Sequence, residues 1–229
     1  MSQGRVVAVT LGVMFSLFMA SMESTVVATA MPTIVSQIGG FDRYSWVFSI
    51  YMLTSTTTVP VFGKLSDVYG RRPVYLVAVV LFLLGSLLCG QARTIDQLIL
   101  FRAVQGLGAG GLLPLAFIII GDLFTLAQRA RLQGLFSGVW GVSSIVGPLL
   151  GGFLVDQVSW PWVFLVNLVP GVIAAMLVWF GWPAQLKPSG ARPAVDYAGA
   201  GLLTASVVAL MLGLFELGSG LGWLLLGVA

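Results

Sequence analysis

The sequence contains no histidine, one cysteine and few charged side chains. Without histidine, the chain cannot form a Ser-His-Asp triad, a histidine-ligated metal site or a haem site with a proximal histidine. With Cys89 alone, it cannot form an internal disulfide or a Cys-x-x-Cys centre. The apolar run around Cys89 favours a small buried side chain. We therefore expect no metal ion and no cofactor.

Charged residues make up 8% of the 229 residues, whereas apolar residues make up 58%. An ordinary soluble domain has about 25% charged residues, which cover its surface. Here 11 basic and 8 acidic residues are too few to do so. A surface that faces lipid needs no such cover, so the lipid bilayer is the expected partner. The net charge of +3 is too small to predict binding to nucleic acid.

Apolar segments long enough to cross hydrocarbon, about 20 residues each, recur along the whole chain. We predict seven transmembrane helices, at residues 6–31, 46–62, 73–91, 97–123, 132–155, 162–182 and 197–217. The apolar residues 218–229 are too few to span and predict an incomplete eighth helix. The predicted fold is an all-α integral membrane protein, with a six-helix bundle at 1–182, a cytoplasmic linker at 183–195, and an extra helix with the start of the eighth at 196–229.

The basic residues lie mainly on one side of this predicted topology. If the N-terminus is cytoplasmic, only Arg43 and Arg93 lie outside. The residues on the cytoplasmic side are Arg5, Lys64, Arg71, Arg72, Arg129, Arg131, Lys187 and Arg192. Basic residues are enriched in cytoplasmic loops. We predict a multi-pass protein of the inner or plasma membrane with a cytoplasmic N-terminus.

Glu23 and Arg102 are the two ionisable residues well inside the first six predicted helices. Charges at such depth are expensive, so each is a candidate functional residue. One interpretation is a structural ion pair between the first and fourth helices. The other is that Glu23 binds and releases a proton, because burial favours the neutral carboxyl and a nearby guanidinium favours the carboxylate. Gln105 shares the helix face of Arg102 and is expected to hydrogen-bond either partner.

Glycine accounts for 29 residues, about twice its average share. Small residues let transmembrane helices approach closely, and a proline interrupts the helical hydrogen bonds. We predict either tight packing or bending of the fifth helix at a stripe of small residues. The residues of this stripe are Gly134, Gly138, Gly141, Gly151 and Gly152, and Gly147 and Pro148 interrupt the helical hydrogen bonds between them. Gly106, Gly108, Gly110 and Gly111 form a similar group on the fourth helix.

Three segments resemble motifs of the major facilitator superfamily. Residues 63–73 read G-K-L-S-D-V-Y-G-R-R-P and resemble its signature loop G-x-L-s-D-r-x-G-R-R. Residues 102–109 read R-A-V-Q-G-L-G-A and resemble its fourth-helix motif R-x-x-Q-G-x-G-a. Residues 143–152 resemble the fifth-helix motif of its exporters, G-x-x-x-G-P-x-x-G-G, with Ser143 in place of the first glycine.

Further segments resemble one branch, the drug:proton antiporters with fourteen spans. Residues 22–32 are similar to the first-helix motif L-D-x-T-v-v-n-v-A-l-P, with Glu23 in place of aspartate. Residues 160–167 are similar to W-R-W-i-F-l-i-N, with Pro161 in place of arginine. Residues 196–199 and 222–223 resemble the start of the extra seventh helix and the turn beyond it.

The resemblance implies a proton-coupled multidrug exporter, of which this chain is the N-terminal portion. In this family two six-helix bundles rock around a site near the middle of the membrane. The missing C-terminal bundle would come from the same gene product or from a second copy. The implied substrates are hydrophobic or cationic small molecules, exchanged for protons, and no enzyme activity is implied.

The resemblance also assigns site residues. It implies a cytoplasmic gate in which the Asp67 carboxylate engages a helix end of the opposite bundle. The residues of this gate are Gly63, Asp67, Gly70, Arg71, Arg72 and Asp122. The implied substrate cavity is lined by the first helix, with the candidates Met14, Phe15, Phe18, Met19 and Met22. Two alternatives remain open: a half-size transporter that acts as a homodimer, and an inactive truncated membrane protein or scaffold.

Overall fold

A computed structural model describes residues 1–182 and 197–215. Every regular element in these two ranges is a helix, as the sequence predicts. The eight α-helices are α1 (Gln3–Ile38), α2 (Tyr44–Tyr69), α3 (Arg71–Cys89), α4 (Ile95–Leu123), α5 (Leu126–Gln157), α6 (Trp162–Leu165), α7 (Leu168–Gly181) and α8 (Tyr197–Phe215). The predicted linker at 183–195, with Lys187 and Arg192, and the predicted start of an eighth helix at 218–229 lie outside the described residues.

Five helical segments in the described part of the chain are long and apolar enough to cross a membrane. They are α1, α3, α4, α5, and α6 taken together with α7. α2 has 26 residues, but the run of hydroxyl side chains at 54–58 lowers its hydropathy. α8 contributes a shorter apolar stretch, Gly201–Leu214.

Local chemistry sets several helix ends. The Thr94 hydroxyl accepts a hydrogen bond from the Gln97 backbone N–H (3.3 Å) at the start of α4. Thr125 and Gln128 form a capping box at the start of α5. Gly70 has φ of +95° between α2 and α3, a conformation that other residues rarely adopt. The prediction that 63–73 is a loop is wrong, because residues 63–69 continue α2 and Gly70 alone separates it from α3.

α1 and α4 organise the bundle. α4 packs against both α2 and α3, α1 packs against both α5 and α7, and α1 and α4 also contact each other. α8 packs against α2. These contacts bring Glu23 on α1 and Arg102 on α4 to the centre of the bundle, where both are buried.

The glycines of α4 allow backbone contact on two sides. A Cβ atom at Gly106 would lie 2.0 Å from the Thr54 hydroxyl oxygen on α2. A Cβ atom at Gly108 would lie 2.3 Å from the Phe82 backbone nitrogen on α3. Gly110 and Gly111 repeat this alternation one turn later. Tight packing therefore explains the glycines of α4.

The glycine stripe of α5 divides into two groups. A Cβ atom at Gly147 would lie 1.9 Å from the Thr25 hydroxyl oxygen on α1, and one at Gly151 would lie 2.9 Å from the Val26 carbonyl oxygen. In the described part of the chain nothing lies within 4 Å of a Cβ atom at Gly134, Gly138, Gly141 or Gly152. Within the described bundle, close packing therefore explains Gly147 and Gly151 but not the second group, for which the prediction of bending stays open.

The predicted sixth helix at 162–182 is interrupted. α6 ends at Leu165 and α7 begins at Leu168. Pro170 has no N–H to donate to the Val166 carbonyl, and its ring is incompatible with a regular turn at that point. The Asn167 backbone N–H instead bonds Phe164, three residues earlier, at 3.2 Å. The interruption places Asn167 against α1, one of the positions on which the candidate site depends.

Candidate functional site

The centre of the site is an ion pair between α1 and α4. The Glu23 and Arg102 side chains are 0% and 1% exposed, and Arg102 Nη1 lies 2.6 Å from Glu23 Oε1. A carboxylate or a guanidinium alone at this depth would be costly to desolvate, so each requires the other. The structure therefore brings together the two residues that the sequence singles out as buried charges.

Gln105 joins the pair from the next turn of α4. Its Oε1 accepts a hydrogen bond from Arg102 Nη1 at 2.8 Å. Its Nε2 donates to Glu23 Oε1 at 3.0 Å and to the Ser86 hydroxyl of α3 at 2.8 Å. A Cβ atom at Gly85 would lie 2.3 Å from Gln105 Cα, so this glycine permits the close approach of α3 and α4 beside the ion pair.

Arg102 has additional partners on α2 that sequence reasoning missed. Its Nε donates to the Val47 carbonyl at 3.2 Å, and its guanidinium carbon lies 4.0 Å from the centroid of the Tyr51 ring. Stacking on an aromatic face is a contact that the planar guanidinium makes and an ammonium cannot reproduce. These partners hold the cation from several directions.

Asn167 is the other partner that sequence reasoning missed. Its Nδ2 donates a hydrogen bond to Glu23 Oε2, and its side chain is buried. Asn167 is the one strongly polar residue among 162–182. That isolation was a usable signal, because a polar side chain in an apolar span generally faces a partner inside the protein.

The arrangement is suited to binding and releasing a proton. Glu23 is a carboxylate in a water-poor interior, beside one cation and two neutral amides. The described residues include no group of three or more side chains suited to holding a metal ion.

A second polar cluster lies where α2, α3 and α4 meet, at the end of the bundle that carries the N-terminus. Arg71 forms an ion pair with Asp67 of α2, and its Nε donates to Asp122 Oδ2 of α4 at 3.0 Å. Its Nη1 also donates to the Ser66 hydroxyl at 2.7 Å. The cluster is partly exposed, in contrast to the buried pair.

The remaining predicted gate residues lie apart from the ion pairs. The Arg72 guanidinium carbon lies 4.3 Å from the centroid of the Trp179 ring on α7. Asp122 pairs with Arg71 and not with Arg72. Gly70 supplies the turn between the helices. Nothing in the described part of the chain lies within 4 Å of a Cβ atom at Gly63, so close packing does not explain this glycine there.

Two cavities border α1. The first, of about 530 Å³, lies between α1, α5, α6 and α7 and has an entirely apolar lining. The second, of about 560 Å³, lies between the first turns of α1 and α5 and the end of α4. Phe15, Phe18 and Met22 line the first cavity and Met14 lines the second. Met19 lines neither, because it is completely buried in the helix packing.

Comparison with known families decides the wider assignment. The family model described as Major Facilitator Superfamily matches residues 13–229. The chain belongs to the major facilitator superfamily. This is a family of transporters, so the chain is a multi-pass membrane protein and not an enzyme.

Curated relatives within the superfamily are named as drug transporters. The chain is 44% identical over 210 residues to Multidrug resistance protein 3 of Bacillus subtilis (strain 168), covering 92% of the chain and 40% of the relative. It is 41% identical over 212 residues to Multidrug transporter protein MdtP of the same organism, covering 93% and 39%. The chain thus spans about two fifths of the length of these relatives.

Solved structures of the superfamily share the fold. An auto-inhibited POT family peptide transporter matches 93% of this chain and 47% of its own, with a TM-score of 0.67 and 16% identity. The human organic anion transporter MFSD10 matches 95% of this chain and 57% of its own, with a TM-score of 0.63 and 18% identity. The helical arrangement of the described residues is therefore that of a major facilitator bundle.

Proposed function

We propose that the chain is the N-terminal portion of a proton-coupled multidrug efflux transporter, an antiporter that works by alternating access. The observation that carries the proposal is the buried pair of Glu23 and Arg102, which joins α1 to α4. The relatives named as multidrug transporters support hydrophobic or cationic small molecules as substrates. The alternative, a purely structural ion pair, predicts no role for proton binding.

Glu23 is the proposed coupling residue, and Arg102 and Gln105 modulate it. With the ion pair intact, the guanidinium stabilises the carboxylate. When the helices move apart, the buried carboxyl binds a proton from one side of the membrane. Return to the paired arrangement releases the proton to the other side. A proton is therefore carried in exchange for the substrate.

The test is Glu23→Gln in the protein at its full natural length, reconstituted in lipid vesicles. Glutamine has nearly the same shape but cannot bind and release a proton in this pH range, so we expect proton-driven efflux to be lost. Substrate exchange between equal concentrations should persist, because it needs no net proton movement. Asp96→Asn, which neutralises an exposed acid at the start of α4, is the matched control. Proton-driven efflux that survives Glu23→Gln would overturn the proposal.

The proposed cytoplasmic gate is the cluster of Asp67, Arg71 and Asp122. In the closed state the Asp67 carboxylate would engage the N-terminal end of a helix in the opposite bundle. Such a contact is worth about 0.3–1 kcal/mol on an exposed surface. An interaction of this size can be made and broken in every transport cycle. Gly63, Gly70 and Arg72 shape the same segment.

The first cavity is the proposed site for the apolar part of a substrate. Its lining includes Phe15, Phe18 and Met22, and flexible or aromatic apolar side chains suit ligands of varied shape. Met14 belongs to the second cavity, and Met19 has a packing role only. Met22, which lines this cavity, immediately precedes Glu23 in the chain.

The opposite wall of the transport pathway would come from a C-terminal bundle, in the same gene product or in a second copy. The glycines of α5 that lack close neighbours, including Gly138 and Gly152, are proposed to pack against that bundle or to allow α5 to bend near Pro148.

The protein is proposed to lie in the plasma membrane with its N-terminus in the cytoplasm. The excess of basic residues at the N-terminal end of the bundle supports this orientation.

A further inference from the structure

The two oxygen atoms of Glu23 have different surroundings. Oε1 accepts hydrogen bonds from Arg102 Nη1 at 2.6 Å and from Gln105 Nε2 at 3.0 Å. Oε2 accepts one from Asn167 Nδ2, the one donor to this atom among the described residues. Arg102 and Gln105 both belong to α4, whereas α6 and α7, which flank Asn167, pack against α1. When α1 and α4 move apart, Asn167 is the one of these three partners that stays beside the carboxyl, so a proton that binds Oε2 faces Asn167.

The Asn167 amide has an unused acceptor. The side chain is 1% exposed, and Oδ1 has no hydrogen-bond partner in the part of the chain that the structure describes. An unpaired buried acceptor is rare in folded proteins, because it has lost its hydrogen bonds to water without replacement. The unpaired Oδ1 lies beside a carboxyl group that is proposed to bind a proton. The protonated carboxyl can supply the donor that Oδ1 lacks.

Protonation of Glu23 would reverse what Oε2 needs. A carboxylate oxygen accepts a hydrogen bond, whereas a protonated oxygen donates one. The Nδ2 donor would then face an O–H group, and Oδ1 is the acceptor nearby that lacks a partner. Rotation of the amide by about 180° exchanges donor for acceptor, and the terminal torsion of asparagine is broad enough to allow it.

We propose that Asn167 is a positioning residue that matches both protonation states of Glu23, donating through Nδ2 to the carboxylate and accepting through Oδ1 from the protonated carboxyl. This inference rests on the proposed proton binding at Glu23. On protonation, an O–H bond forms at Oε2 and the Nδ2–H···Oε2 hydrogen bond breaks. The O–H···Oδ1 hydrogen bond then replaces it.

The break between α6 and α7 makes this position available. Asn167 lies between the two helices, both of which pack against α1, and its amide bonds the Glu23 oxygen that Arg102 does not. Among the described residues, the other titratable or charged groups near Glu23 are Arg102 of α4, Tyr51 of α2 and Cys89 of α3. The other neutral amide on Glu23 is Gln105, whose Oε1 already accepts from Arg102. Asn167 is therefore the amide whose two atoms can serve the carboxyl in either state.

The test is infrared difference spectroscopy of the full-length protein in lipid vesicles, titrated across the working pH range. The carboxylic C=O band that disappears in Glu23→Gln belongs to Glu23. In Asn167→Leu we expect this band to move to higher wavenumber, because the protonated carboxyl loses its acceptor.

Ser143→Ala is the matched control, because it removes another buried hydrogen bond to α1, the 2.6 Å contact of Ser143 with Ser21. We expect its Glu23 band to overlay that of the unmodified protein. Asn167→Asp keeps the shape and polarity of the site if Asn167→Leu fails to fold. It should produce two carboxyl bands that titrate in two coupled steps. A single, unshifted band in the Asp variant would overturn the proposal.

An unchanged Glu23 band in Asn167→Leu would also overturn the role of Asn167 and leave the coupling proposal intact. If no band disappears in Glu23→Gln, then Glu23 does not bind a proton. In that case the proposed function fails at its coupling residue, and the role of Asn167 fails with it.

Discussion

Arg102 contributes a shape as well as a charge. It donates to Glu23, Gln105 and the Val47 carbonyl, and it stacks on Tyr51. Lysine keeps the charge but offers a single compact ammonium, which cannot reach all of these partners. The site therefore depends on the planar guanidinium.

We predict that Arg102→Lys destabilises the folded protein by about 2–3 kcal/mol, the scale of a lost buried hydrogen bond to a charged group. Thermal unfolding of the purified protein in detergent measures this change. Arg93→Lys, at an exposed position, is the control and should leave the melting temperature unchanged. Equal melting temperatures for both variants would mean that the guanidinium contacts contribute little.

Arg71 provides the opposite case, a partly exposed ion cluster with little effect on stability. Exposed ion pairs contribute about 0–1 kcal/mol, so we predict that Arg71→Ala changes the free energy of unfolding by no more than this. Substrate efflux should nevertheless fall by up to about fivefold, the rate equivalent of about 1 kcal/mol, if the cluster is part of the gate. Vesicle efflux and thermal unfolding, measured on the same preparation, separate the two effects.

The matched control for Arg71→Ala is Arg43→Ala, which removes an exposed pair with Asp96 at the other end of the bundle. Its efflux should equal that of the unmodified protein. The gate assignment would be wrong if Arg71→Ala transported at the full rate.

At the residue scale, sequence reasoning predicted the meeting of Glu23 with Arg102 and Gln105, because charges buried in lipid must find partners. It did not predict Tyr51, Ser86 or Asn167. Those partners depend on which helices are neighbours, and an apolar helix in lipid carries little pattern to fix its neighbours. The polarity of Asn167 in an apolar segment was a signal that could have identified it, whereas a tyrosine among many aromatic residues gave no signal.

Helix pairs are held close by backbone contact at glycine. Gly106 lies against α2 so closely that a methyl group would contact the Thr54 hydroxyl at 2.0 Å and the Tyr51 carbonyl at 2.7 Å. Because a carbonyl belongs to the backbone, it cannot rotate away as a side chain can. α2 and α4 must separate to admit even one carbon atom.

We predict that Gly106→Ala destabilises the protein by about 1–3 kcal/mol, the usual range for overpacking. The same substitution at Gly201 of α8, where nothing described lies within 4 Å, should be neutral or slightly stabilising because alanine favours helix. Thermal unfolding of the two variants compares them directly. Equal stability would show that α2 moves aside without loss.

At the element scale, the apolar runs predicted the helices, because hydrocarbon demands long helical spans. The same runs predicted the ends and interruptions of the helices less well. α2 extends through the segment expected to be a loop, since nothing before Gly70 stops it. The interruption between α6 and α7 was missed, although Pro170 supplied the chemical reason for it. A hydropathy profile reports how apolar a segment is, so it does not reveal that Pro170 lacks a backbone N–H.

The two ends of the bundle carry different ion pairs. Arg71 with Asp122 marks the end near the N-terminus, and Arg43 with Asp96 marks the other end. The sequence predicted this division from the alternation of basic loops. The individual pairs could not be predicted, because each acid has more than one basic residue at its own end.

The proposed orientation is open to a direct test in a Cys89→Ala background. We predict that a cysteine introduced as Arg93→Cys reacts in intact cells with a maleimide that cannot cross membranes. One introduced as Arg131→Cys should react only after the membrane is made permeable. Both positions are exposed in the bundle, so burial does not confuse the comparison. The reverse pattern of labelling would invert the topology.

The partners of Glu23 lie far from it in sequence, with Arg102 79 residues and Asn167 144 residues further along the chain. Synthesis proceeds from the N-terminus, so α1 reaches the bilayer before either partner exists. A charged carboxylate near the centre of a lone helix opposes insertion by about 2.5–3.5 kcal/mol. During this interval Glu23 must either hold a proton or remain sheltered by the insertion machinery. When α4 enters the bilayer, Arg102 becomes available to pair with Glu23. The ion pair proposed to drive transport therefore also forms at a defined step in the assembly of the protein.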